Sequence, residues 1–168
     1  MSTVTNYEEK MTAALEGLVL AVGGSLPTRE NVSSVQEYRL KLCEAASTGA
    51  IGGATFTIGT EAANVINVAI QLTDGNGDDL ARAGRVFVYL AADAGGQTTG
   101  SGVGHPAGLA IGTDGFYQQM IANLAGFCTS ESDGDIDLNI TNTGTGTQYL
   151  IVVLPSGKLV ASGAITFA

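Results

Sequence analysis

The chain contains no tryptophan, a single histidine, two cysteines and three prolines among 168 residues, and each scarcity removes a class of explanation. With one histidine, a zinc framework would have to rest on cysteine, yet Cys43 and Cys128 stand far apart and neither belongs to a CxxC pair. Both thiols are read as reduced. Cations are also few: seven Lys and Arg against sixteen Asp and Glu leave a formal charge of −9 and a pI of about 4.3. Duplex binding needs Lys and Arg to neutralise phosphates, and anionic membranes attract clustered cations, so neither nucleic acid nor membrane is an expected partner. Long apolar runs are missing as well. Leu18 to Val22 is far too short to span a bilayer, and MSTVTNYEEKMTAALEG carries acids where a signal peptide carries basic residues. Synthesis in the cytoplasm is the expectation, and without a secretory route the glycosylation patterns at Asn31-Val-Ser and Asn139-Ile-Thr carry no meaning.

What the chain does have is glycine, 24 residues of it, and 45 % apolar residues, enough for a core. Composition shifts near residue 48: residues 1–48 hold no Asp and three Gly, whereas residues 49–168 hold eight Asp and 21 Gly. Two domains are expected, a helical arm over 1–48 and a β domain over 49–168. In the arm, Tyr7, Met11, Ala14, Leu15, Leu18, Val19 and Val22 recur at spacings of four and three, which places them on one stripe of a helix. Thr5 with Glu8 fits a capping box, and Gly23-Gly24 fits a stop. A second helix follows Leu26-Pro27, with Ser34 and Glu37 as its capping box and Val35, Tyr38, Leu42 and Ala45 on one face. Two such helices, about 22 Å long each, should not close a core by themselves, so the stripe is expected to pack on something else.

After residue 48 the period changes to two. Ile66, Val68, Ile70 and Leu72 alternate with polar or small residues up to the turn Asp74-Gly-Asn-Gly; Val86-Phe-Val-Tyr-Leu90 follows as the next strand, and Ile136, Leu138 and Ile140 alternate with Asp137 and Asn139. With Thr55 to Ile58, Leu109 to Ile111, Phe116 to Ile121, Tyr149 to Leu154 and Leu159 to Phe167, seven or eight strands are expected. Their spacing predicts an antiparallel, immunoglobulin-like β-sandwich, with a barrel as the alternative, and the whole chain is α+β.

No constellation for catalysis emerges. His105, in a glycine-rich loop before Pro106, has no nucleophile motif to serve, and the acids cluster in turns where Asp bonds its own backbone. The chain is read as having no catalytic residue and no cofactor. Asp74-Gly-Asn-Gly-Asp78 starts like a calcium loop but has Asp79 and Arg85 where an EF-hand needs Gly and Glu. Asp133, Asp135 and Asp137 stand at alternate positions, which a strand would project to one side, so with Glu131 they are candidates for a hard cation; the competing reading is a solvated acidic turn. Residues 95–104 lack the GxxxxGK[ST] pattern for phosphate and read as a flexible or partner-ordered loop.

The phrases NVINVAIQLTDGNGDDLARAGRVFVYL, GLAIGTDG, ESDGDIDLNIT and YLIVVLPSGKLVASGAITFA, in that order from Asn64 to Ala168, resemble a β-rich domain of tailed-bacteriophage virion proteins of the head-fibre and decoration type. The resemblance implies a non-enzymatic structural protein, located in the virion, with the major capsid protein as partner. It also implies a homo-oligomer, a trimer before a dimer. Together with the uncovered stripe, it makes Tyr7, Met11, Leu15, Leu18, Val19 and Val22 the expected partner-binding residues. The alternative is a tail or baseplate adhesin that binds a host-surface glycan through the loops at 74–79 and 93–107, though these loops hold no aromatic platform.

Overall fold

The computed structural model describes residues 3–21, 35–99 and 106–168. Two helices, α1 (Thr3–Ala21) and α2 (Val35–Gly49), precede ten strands: β1 (Gly53–Ile58), β2 (Val65–Thr73), β3 (Arg85–Ala91), β4 (Pro106–Ile111), β5 (Phe116–Ile121), β6 (Ala125–Thr129), β7 (Asp135–Asn142), β8 (Gly146–Val153), β9 (Leu159–Ala161) and β10 (Ile165–Phe167). Every pairing is antiparallel. The first sheet runs β1-β2-β7-β4; the second runs β10-β8-β3-β6-β5, with β9 also on β8. This is the expected sandwich: α+β, with a helical pair ahead of two antiparallel sheets.

Alternation builds the core. Across β2 and β7 the inward residues meet as Ile66 with Ile140, Val68 with Leu138 and Ile70 with Ile136; across β3 and β8, Val88 meets Val152 and Leu90 meets Leu150. These residues are buried in one cluster between the sheets, together with Leu80, Leu154, Ile165 and Phe167. At about 1.5–3 kcal/mol for each large aliphatic side chain taken out of water, this cluster is the main stabilising feature of the molecule.

The helices differ from expectation in two respects. Helix α1 starts at Thr3, so Thr5 lies inside it and cannot act as its cap; nothing in Thr3-Val-Thr interrupts helical backbone before that point. Ser34, Gly23 and Gly24, the second cap and the stop, lie outside the described residues. The stripe is also not left uncovered within the arm: Val19, Tyr38 and Leu42 form a small buried cluster with Leu15 and Ala46 packed on it. Two hydrogen bonds reinforce the pair, Tyr38 Oη to Glu16 Oε1 at 2.9 Å and Arg39 Nε to Thr12 Oγ1 at 3.2 Å. The helical cluster shares no residue with the sandwich core. The end of α2 is held to the sandwich by Arg82, which donates from Nε to the Gly49 carbonyl at 3.0 Å.

Two strand expectations also change. β6, AGFCT, was not anticipated because it is short and a glycine breaks its alternation. The expected strand from Leu159 to Phe167 is two pieces, β9 and β10: Ala161 faces Ile151 but Ile165 faces Gln148, one residue more than on the partner side. Ser162 fills the interruption, its Oγ accepting from Leu150 N at 2.9 Å while its own N–H reaches the Leu150 carbonyl. That is a β-bulge with a hydroxyl standing in for a backbone acceptor.

Candidate interaction surfaces

Among the described residues, the candidate partner stripe on α1 divides in two. Val19 is fully buried and Leu15 half-buried against α2, so these two are taken up inside the arm. Met11 and Leu18 remain outside, 38 % and 50 % exposed. Leu20 on α1 and Leu40 on α2, which sequence reasoning did not single out, are each 60 % exposed. The Tyr7 side chain and Val22 lie outside the described residues.

The acidic turn is organised by backbone. Only Asp135 and Asp137 belong to β7; Asp133 sits in the turn before it, where its Oδ1 accepts from Asp135 N and its carbonyl accepts from Gln71 Nε2 at 2.8 Å. Asp135 turns its own Oδ1 to Ile136 N at 2.9 Å, and Asp137 accepts from the Thr113 hydroxyl. The strand projection therefore holds for two carboxylates and fails for the third, because the turn uses Asp133 as an Asx cap. No group of three or more His, Cys, Asp or Glu that could hold a metal occurs among the described residues. Burial raises the Asp135 carboxyl above its ordinary range; the Ile136 N–H opposes this, and the charges of Asp137, Asp114 and Asp133 add to it.

The first part of the glycine-rich loop is a closed turn. Asp93 accepts from Thr98 N at 2.7 Å and from Gln97 N at 3.3 Å, and Ala92 N donates to the Thr98 carbonyl at 2.8 Å. Those backbone bonds, Thr98 first, hold the Asp93 carboxyl below its usual range. The turn is pinned to the second sheet by Tyr89, whose hydroxyl donates to the Gly96 carbonyl at 2.8 Å. His105 lies outside the described residues.

The outer faces of the two sheets are unlike one another. On the first sheet, Asn67 faces Asn139, Ala69 faces Asp137 and Gln71 faces Asp135, with an Asn67 Nδ2 to Asn139 Oδ1 bond at 3.1 Å. On the second, Phe87 faces Phe127 on one side and Val153 on the other, and Tyr89 faces Ile151. The Phe87 and Phe127 rings meet edge to face at 5.2 Å, and the Arg85 guanidinium lies 4.6 Å from the Phe127 centroid. Arg85 also donates to Gln118 Oε1 at 3.0 Å. The strands of the second sheet contain no Asp or Glu at all. Sequence reading missed this surface, although its signal was present: in Arg85-Val-Phe-Val-Tyr both alternating sets are apolar, so either side of the strand is a candidate core face.

No family model matches the chain, and no curated protein matches it. Among solved structures it is similar to a cohesin module from a Clostridium perfringens family 33 glycoside hydrolase, at 11 % identity over 70 % of this chain and 94 % of that one, with a TM-score of 0.37. Similarity at that level bears on neither activity nor partner.

Proposed function

We propose that this chain is a non-enzymatic structural protein of a bacteriophage virion, a head decoration or head-fibre protein that docks on the major capsid protein through its helical arm. The observation that carries the reading is the ordered set of phrases from Asn64 to Ala168 that resembles such virion domains. The arm supports it from the other end of the chain: Met11 and Leu18 stay exposed on a helix whose neighbouring Leu15 and Val19 are already satisfied by α2. Apolar side chains held at the surface of an otherwise acidic chain are suited to burial against a partner. The glycan-binding alternative gains little, because Tyr89, the aromatic residue bonded to the 93–98 turn, spends its hydroxyl on Gly96.

The test is the composition of purified particles. Mass spectrometry should find many copies on the head, and Met11→Lys/Leu18→Lys protein should fold normally but fail to co-sediment with heads that lack the native chain. Absence from particles, or a handful of copies confined to the tail tip, would overturn the reading.

A further inference from the structure

An asparagine side chain can be attacked by the backbone nitrogen that follows it, at a rate set by the bulk of the next residue and by how firmly that N–H is held. Asn76 is the one asparagine of the chain followed by glycine; every other precedes a residue with a Cβ. In the sandwich the others are restrained as well. Asn67 and Asn139 stand on the interior strands β2 and β7 with their side chains bonded to one another, and Asn142 is buried. After Asn64 and Asn123, the Val65 and Leu124 N–H groups donate to the Ala62 and Ile121 carbonyls at 3.0 and 3.1 Å. Asn76 differs in each respect. It lies with Gly75, Gly77, Asp78 and Asp79 in an exposed turn leaving β2, and Gly77, at φ +93°, has open space where a Cβ would stand. The Gly77 N–H donates to the Asp74 carbonyl at 3.2 Å, the longest of the turn and loop backbone bonds among the described residues.

We propose that Asn76-Gly77 is a self-modification site, at which the folded chain deamidates without an enzyme. The Gly77 nitrogen bonds to the Asn76 Cγ and hands its proton to the departing Nδ2, so that the Cγ–Nδ2 bond breaks, ammonia leaves and a cyclic imide closes. Water then opens the ring and returns a proton to the Gly77 nitrogen. Attack at Cγ leaves aspartate at position 76; attack at the main-chain carbonyl leaves isoaspartate, in which the backbone runs through the side-chain carbon. In both, the new carboxyl passes its proton to ammonia, adding one negative charge to a chain of −9. The isoaspartate also lengthens the main chain by one carbon, inside the loop that Asp74 N closes on the Asp78 carbonyl at 2.8 Å. That loop has little slack. The Asp74 carboxyl accepts from Asn76 N at 2.8 Å and from Asp78 N at 3.1 Å, and Asp74 and Gly75 press against Gly52, where a Cβ would collide with both. Leu80, fully buried in the core, comes two residues after Asp78. The extra carbon must break turn bonds or pull on Leu80, whereas the aspartate product changes charge alone.

The experiment ages the full-length chain in mildly alkaline buffer at body temperature for several weeks, without denaturant, and follows it by intact mass, ion exchange and peptide mapping. The peptide holding residue 76 should convert to a mixture of isoaspartate and aspartate about tenfold faster, or more, than any other asparagine peptide. Asn76→Gln, whose longer side chain disfavours the ring, should stay unchanged over the same interval. The isoaspartyl fraction, separated from the rest, should melt several degrees below Asn76→Asp, which supplies the charge without the added carbon. No conversion at residue 76, an equal rate at another asparagine, conversion that requires denaturant, or an isoaspartyl fraction that melts together with Asn76→Asp would overturn the proposal.

Discussion

Asp135 shows how one side chain can serve the backbone and still cost stability. Its carboxyl is raised above its ordinary value, chiefly by burial, so the folded state holds the proton more tightly than the unfolded chain does. A raised carboxyl makes ionisation destabilising: the penalty is complete above the folded value and disappears as pH falls through it. Asp135→Asn keeps an oxygen for Ile136 N and removes the charge, so its Tm should exceed that of the parent at pH 7. The difference should close as pH falls towards the carboxylate range, and thermal melts between about pH 7 and pH 4 will show it. A difference that grows on acidification would contradict the assignment. The periodicity made Asp135 and Asp137 legible as facing one way; what it did not convey is that a carboxylate at the mouth of a turn is recruited by the nearest N–H, as Asp133 is.

At the scale of elements, pattern was a good guide wherever burial was one-sided. β2 and β7 alternate cleanly because one face meets the core and the other carries Asn, Gln and Asp. The pattern was a poor guide to β3, whose two faces are both apolar, and to the C-terminal strand, whose interruption depends on a serine hydroxyl that no hydropathy pattern registers. Between β3 and β4, residues 95–104 read as a flexible or partner-ordered loop, and within the described part residues 92–98 close on themselves through Asp93 and Tyr89. Gly96 makes that closure workable: its φ is +69°, and a Cβ there would stand 2.5 Å from the Tyr89 hydroxyl. Gly96→Ala should therefore lower stability by about 1–2 kcal/mol, from the backbone conformation and the clash together. Adding Tyr89→Phe should relieve the clash while also removing the hydrogen bond to the Gly96 carbonyl, so denaturant melts of both single variants and the double variant together isolate the backbone part. The helical stripe was legible as a stripe but not as a divided one, because the spacing of Met11, Leu15, Leu18 and Val19 does not say which of them α2 will cover.

For the whole molecule, the helical pair and the sandwich keep separate buried clusters, and the link at Arg82 and Gly49 falls within residues 49–168. That fragment should fold alone, with a strand-type circular dichroism spectrum and a cooperative melt; a disordered fragment under conditions where the full chain is folded would show that the arm is part of the sandwich's stability. The bulge at Ser162 has a consequence for assembly rather than for folding. A sheet with both ends receptive can add copies without limit, head to tail, and becomes a filament. The Ser162 interruption breaks the β9/β10 end and the register shift between Gln119 and Ile121 breaks the β5 end, so neither end of the second sheet offers an uninterrupted ladder for such growth.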